Sequence, residues 1–151
     1  RQGPTVYTLL LAFSGAGSIV GALLVAATGN TRHKGRVIVV TLVLLGMLMV
    51  GFSLSRWLPM SCAMVFLAGA AMIAVFATLS SLVQLLTSDQ MRGRVMSVYN
   101  VAFRGGMPMG SLLAGAMAPV LTAPVVLGIY GALLSLLGLY FLVVQRKVAA
   151  L

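Results

Sequence analysis

Long apolar runs separated by short polar breaks set the pattern of this chain. Five runs stand out, at about Thr5 to Thr28, Val37 to Ser55, Met60 to Leu86, Val95 to Val120, and Pro124 to Val144. Within each run the apolar positions follow neither a period of two nor a narrow helical stripe. Apart from the fourth, which holds an arginine, the runs are apolar nearly all round, as helices are when lipid is their solvent. A bilayer crossing takes about 20 apolar residues, so each run has the length of one transmembrane helix. The first run is placed where a signal peptide would be, but four more follow it and no cleavage-site pattern stands out.

Composition agrees. Of 151 residues, 61% are hydrophobic and 7% charged, and the mean hydropathy is +1.13. A soluble domain carries about 25% charged residues, because something must face water. The expected fold is therefore an all-α integral membrane bundle of about five transmembrane helices.

The polar breaks differ in charge. The break after the first run, Gly29-Asn30-Thr31-Arg32-His33-Lys34-Gly35-Arg36, holds three basic residues, and Ser88-Asp89-Gln90-Met91-Arg92-Gly93-Arg94 holds two. The last run is followed by Gln145-Arg146-Lys147. These segments alternate with Arg1, Arg56 and the uncharged Thr122-Ala123, so seven basic residues fall on one side and two on the other, with Arg104 inside a run. The positive-inside rule makes the first group cytoplasmic, which places the chain start outside and the C-terminus inside. Trp57, and Tyr140 with Phe141, suit the two membrane interfaces. The formal charge of +9 reports orientation. It does not indicate nucleic acid, since the basic residues form no patch and no aromatics are interleaved with them.

Helices that approach closely in lipid carry small residues at the contact. The first run has Ser14, Gly15, Gly17, Ser18 and Gly21. The third has Ala68, Gly69, Ala70, Ala71, Ala74 and Ala77, and the fourth has Gly105, Gly106, Gly110, Ala114, Gly115 and Ala118. The second and fifth are bulkier. The pattern predicts an inner layer of the first, third and fourth helices, with the second and fifth facing lipid.

The fourth run carries the candidate chemistry. At about 100° per residue, Ser97, Asn100, Arg104, Pro108 and Ser111 share one sector, while Gly106, Gly110 and Ala114 share another. Pro108 lacks a backbone donor and, with Gly105 and Gly106, predicts a kink or broken turn. An arginine at mid-span costs about 2.5 to 3.5 kcal/mol on insertion scales. Arg104 either snorkels to the headgroups or lines a cavity and meets an anionic solute or an acid. Gln84 is expected near the cytoplasmic mouth of that cavity. Asp89 is the single acid of the chain and lies in a break, so an intramembrane acid partner must come from outside these residues. Ser80, Ser81 and Thr78 are expected to bond their own helix, and Ser14 and Ser18 to pack. The ten Met residues read as adaptable packing. With one Cys (Cys62), one His and one acid, the sequence offers no metal site, cofactor site or catalytic triad, and enzyme activity is not expected.

Two of the breaks carry a family likeness. Gly29-Asn-Thr-Arg-His-Lys-Gly35-Arg36 resembles the second copy of the loop motif of major facilitator superfamily transporters, between their eighth and ninth helices. Gln84-Leu-Leu-Thr-Ser-Asp89-Gln-Met-Arg92-Gly93-Arg94-Val-Met-Ser97 resembles the loop between the tenth and eleventh. Its continuation, Phe103-Arg-Gly-Gly-Met-Pro108-Met-Gly110-Ser-Leu-Leu-Ala-Gly115, is similar to the eleventh helix of the transmembrane secretion effector branch, which includes enterobactin-exporter-like permeases. The likeness covers essentially the whole chain as helices eight to twelve. It implies the C-terminal part of a proton-linked exporter of small molecules, such as drugs or siderophores, in a bacterial inner membrane. Transport would proceed by alternating access, with the site between this part and an N-terminal half. It also implies an inner-gate role for Asp89, Arg92 and Arg94, and reads Gly106-Met-Pro108-Met-Gly110 as reminiscent of an antiporter Gly-Pro motif. The chain departs from the motif at Asn30, where the family places an acid. Without a partner half, a different class remains open: a non-transporting membrane accessory or assembly subunit.

Overall fold

A computed structural model describes residues 4–27, 34–117 and 121–143. The described residues form five α-helices and no strand. They are α1 (Pro4–Ala27), α2 (Lys34–Leu54), α3 (Leu58–Leu86), α4 (Arg92–Met117) and α5 (Ala123–Val143). The chain is an all-helical membrane bundle. Arg1, Thr28, the loop residues Gly29 to His33, Ala118 to Val120, and Val144 to the terminus lie outside the described residues. That covers most of the first loop motif and the basic C-terminal segment.

Two helices begin earlier than the apolar runs. Lys34, Gly35 and Arg36 are the first turn of α2, and Arg92, Gly93 and Arg94 the first turn of α4. Lys and Arg are good helix formers, and the charges at these ends do not stop the helix as a hydropathy boundary suggests. The corner between α2 and α3 is tight: Ser55 N donates to Phe52 O at 3.2 Å, Trp57 is extended, and Pro59 sits in the first turn of α3. A proline is tolerated there because the first helical N–H groups have no intrahelical acceptor.

Helices α1, α2, α3 and α5 are each long and apolar enough to cross a bilayer. Helix α4 falls short, carrying three arginines, Asn100 and Pro108. The topology still requires it to cross. Ser53 of α2 faces Gly128 of α5, and Val43 faces Gly138, so these helices are antiparallel. Gly51 faces Met64 beside the corner, so α2 and α3 are antiparallel too. Therefore α3 and α5 run in one direction, and α4 carries the chain back between them. Its 26 residues give about 39 Å at about 1.5 Å per residue, enough for a core about 30 Å thick.

The tight packing sits in two seams. In the first, α1 lies against α3: a Cβ on Gly17 would collide with the Phe66 carbonyl, one on Gly21 with Ala70, and one on Gly69 with the Ser14 carbonyl. Ser18 Oγ lies in this seam, donating to Ser14 O at 2.9 Å with Gly69 O at 3.4 Å. In the second, α2 lies against α5: a Cβ on Gly46 would stand 2.6 Å from Gly131 O, and one on Gly131 would stand 2.7 Å from Gly46 O. Without hydrophobic drive between helices in lipid, such backbone approaches supply the packing. The core is small (Ile38, Val39, Cys62, Ala71 and Val126), and most large apolar side chains point outward.

The layer assignment needs correction. Helix α2 is central, lying against both α3 and α5, and is not simply lipid-facing. One glycine at the contact outweighs a bulky average, because close approach depends on the residue at the crossing point. Helix α4 is the least covered. None of its residues is buried, and a Cβ at Gly105, Gly106, Gly110 or Gly115 would meet nothing within 4 Å.

Candidate functional site

Helix α4 is fixed to α3 by an aromatic cluster. The Phe103 ring lies 4.5 Å from Phe76, centroid to centroid, and Tyr99 stacks 6.3 Å from each. Aromatic pairs at these separations hold a preferred orientation as well as burying area. The cluster sets the rotation of the helix. Asn100 and Arg104 follow Tyr99 and Phe103 by one residue each, so they are turned by about 100° away from α3, and both are exposed.

The polar stripe predicted on this helix is all on the open side: Ser97, Asn100, Arg104, Pro108 and Ser111 are exposed. Ser97 Oγ donates to Gly93 O at 2.9 Å and Ser111 Oγ to Met107 O at 3.0 Å. Their protons are used within the helix, which leaves lone pairs as their outward capacity. Arg104, the thirteenth of the 26 residues, has no partner among the described residues, and neither does Asn100. The helix is continuous across Pro108, so there is no broken turn at the Gly105-Gly106-Pro108 segment. Pro108 has no N–H to give the Arg104 carbonyl one turn earlier. From α5, Tyr130 Oη reaches Gly110 O at a long 3.5 Å.

A second group of polar residues gathers where α3 ends and α4 begins. Phe76, Ser80, Ser81, Gln84 and Arg92 line a cleft of about 410 Å³. Gln84 Nε2 donates to Ser80 Oγ at 3.3 Å, and Lys34 Nζ donates to Ser81 Oγ at 3.2 Å. Arg92 Nη2 pairs with Asp89 Oδ1 at 2.7 Å, three residues apart, with both side chains half or more exposed. Arg94 is exposed and has no partner among the described residues.

Sequence-selected residues thus separate into two places. Gln84 and Arg92 share the cleft. Asn100, Arg104 and Ser111 lie farther along α4 and do not line it. The Asp89–Arg92 pair is local and ties the loop to no other helix. A polar tie that does cross between helices at this end, Lys34 to Ser81, is not visible in the sequence, where Lys34 is only one of the charges in a polar break. The aromatic cluster went unread as well. Tyr99 and Phe103 at a four-residue spacing were the available signal.

A family model described as transmembrane secretion effector matches residues 1–150. The chain belongs to that family. No curated protein and no solved structure matches it. Membership makes this a transporter-type membrane protein of the major facilitator superfamily. In this chain the arginine at mid-helix, Arg104, stands on α4, the helix with the least cover.

Proposed function

We propose that this secretion effector is the C-terminal part of a proton-linked exporter of small molecules. It would work by alternating access in a bacterial inner membrane, with α4 facing the missing N-terminal half across the solute path. The observation that carries the reading is the open polar face of α4. An arginine with no partner among the described residues stands at mid-helix and exposed. Intramembrane charge is costly and is found where it meets a wet cavity, a solute or an opposite charge. Arg104 and Asn100 are the groups that bind a solute with anionic or mixed-charge character. Gln84 stands at the inner mouth of the path, and Asp89, Arg92 and Arg94 at the inner gate.

The test is Arg104→Leu in the full-length protein, read by efflux from cells over a panel of anionic and zwitterionic small molecules. A charge-assisted contact contributes about 1.5 to 3 kcal/mol, so export should fall roughly 10- to 100-fold. Membrane insertion should stay intact. Unchanged export in the inserted variant would sink the assignment of Arg104.

A further inference from the structure

At the opposite end of the bundle from Gln84 lies a cleft of about 290 Å³, framed by α1, α2, α3 and α5 at the Ser55–Trp57 corner. Phe52 and Leu127 belong to its apolar wall, and Ser53, Ser55, Ser61 and Arg56 to its polar rim. The walls are fixed by the α2–α5 seam, where a Cβ on Gly128 would stand 2.9 Å from Ser53 Oγ.

The rim has a definite donor and acceptor balance. Ser53 Oγ donates to Val50 O at 2.8 Å, Ser61 Oγ to Ser55 Oγ at 3.0 Å, and Ser55 Oγ to Trp57 O at 3.3 Å. Each hydroxyl has one proton, so all three are used within the protein, and what they offer a ligand is lone pairs. The donors come from Arg56, whose guanidinium is exposed and has no partner among the described residues. A ligand that satisfies this rim needs an anionic group for Arg56 and hydrogen-bond donors of its own for the serines. It also needs an apolar continuation for the Phe52 and Leu127 wall. At 290 Å³ the cleft is at the low end of the range for small-molecule sites, about 300 to 1,000 Å³. That is room for a headgroup and the start of a chain, and not for a whole amphiphile. The exposed Trp57 beside it is the residue type that sits at headgroup depth.

We propose that this corner is a binding site for a glycerophospholipid whose headgroup carries hydrogen-bond donors. The phosphate would lie on Arg56 and the headgroup hydroxyl or ammonium on the serine oxygens. The inference is independent of the transport reading, since it uses no residue of α4.

Trp57 is the one tryptophan of the sequence and adjoins Arg56, which makes it the probe. The full-length protein, with Trp57 as its sole tryptophan, is reconstituted into vesicles. Its fluorescence is then quenched with brominated phosphatidylglycerol, phosphatidylethanolamine or phosphatidylcholine. The two donor-bearing lipids should bind in preference to phosphatidylcholine by roughly three- to tenfold, the range of one net hydrogen bond to a serine oxygen. Arg56→Gln should remove the advantage of all three over brominated diacylglycerol, which lacks the phosphate, and leave their ratio in place, whereas Ser55→Ala should lower that ratio, because the alanine offers no lone pair. Excess inorganic phosphate should change nothing. Equal quenching by all three lipids would overturn the proposal, as would an advantage over diacylglycerol that survives Arg56→Gln. Recovery of Trp57 fluorescence on adding phosphate would overturn it in favour of a free-anion site.

Discussion

Ser135 Oγ is buried with no hydrogen-bond partner, in the seam where α5 meets Gly46 of α2. A buried polar atom left unpaired costs stability that an apolar replacement of similar shape recovers. Ser135→Ala should therefore be neutral or stabilising by up to about 1 kcal/mol, read as thermal unfolding in detergent micelles. Gly46→Ala has the opposite expectation, because the new methyl meets Gly131 O at 2.6 Å, which no side-chain movement clears. Overpacking of this kind costs about 1 to 3 kcal/mol, and a Gly46→Ala protein as stable as its parent would show that the seam is looser than described. At this scale the sequence was half legible. Gly17 and Gly21 announce their seam by spacing on one helix. Gly46 and Gly131 do not, since each stands nearly alone among bulky residues and the partner lies on another helix. Arg104 was legible only as a mid-span cation, and the structure has it exposed at the thirteenth position of α4.

Among the elements, α4 is the one whose behaviour depends on what lies beyond the described residues. In a helix with free surface, Gly→Ala gains about 1 kcal/mol from propensity alone. A Cβ at Gly106 meets nothing within 4 Å, so Gly106→Ala should stabilise residues 1–151 expressed by themselves. In the two-halved transporter proposed above, the neighbour across α4 should reverse the sign, with loss of stability or export. The pair of measurements reports directly whether that face is covered, and stabilisation in both settings would leave it bare. The apolar runs located all five helices because hydropathy and helix length are set by the same bilayer thickness. The helices α2 and α4 begin three residues before those runs, where charged residues continue the helix. The runs also put α2 at the periphery, where the structure sets it between α3 and α5. Average bulk says little about a contact decided by one glycine, and a small-residue face says nothing about whether its partner is present.

For the molecule as a whole, the antiparallel seams fix an alternation of helix directions. A Cys at Trp57 and a Cys at Ser88 should then react with a membrane-impermeant maleimide from opposite faces. By the charge distribution, Trp57→Cys should label in intact cells and Ser88→Cys only after lysis. Labelling of both from one side would remove α3 from the spanning set. Fold class was readable from composition because the choice of solvent dominates every other term. The polar tie between Lys34 and Ser81 was not readable, since it depends on the ends of α2 and α3 meeting in space. The shortfall in the apolarity of α4 bears on how the protein is made. A segment that lipid alone holds poorly does not partition from the insertion machinery as a finished unit. It has to wait, beside a neighbour already in place, until its arginine is sheltered. Biogenesis and assembly would then be one event for this helix, and a chain that fails to find its neighbour would expose the very feature by which membrane quality control selects orphans for degradation.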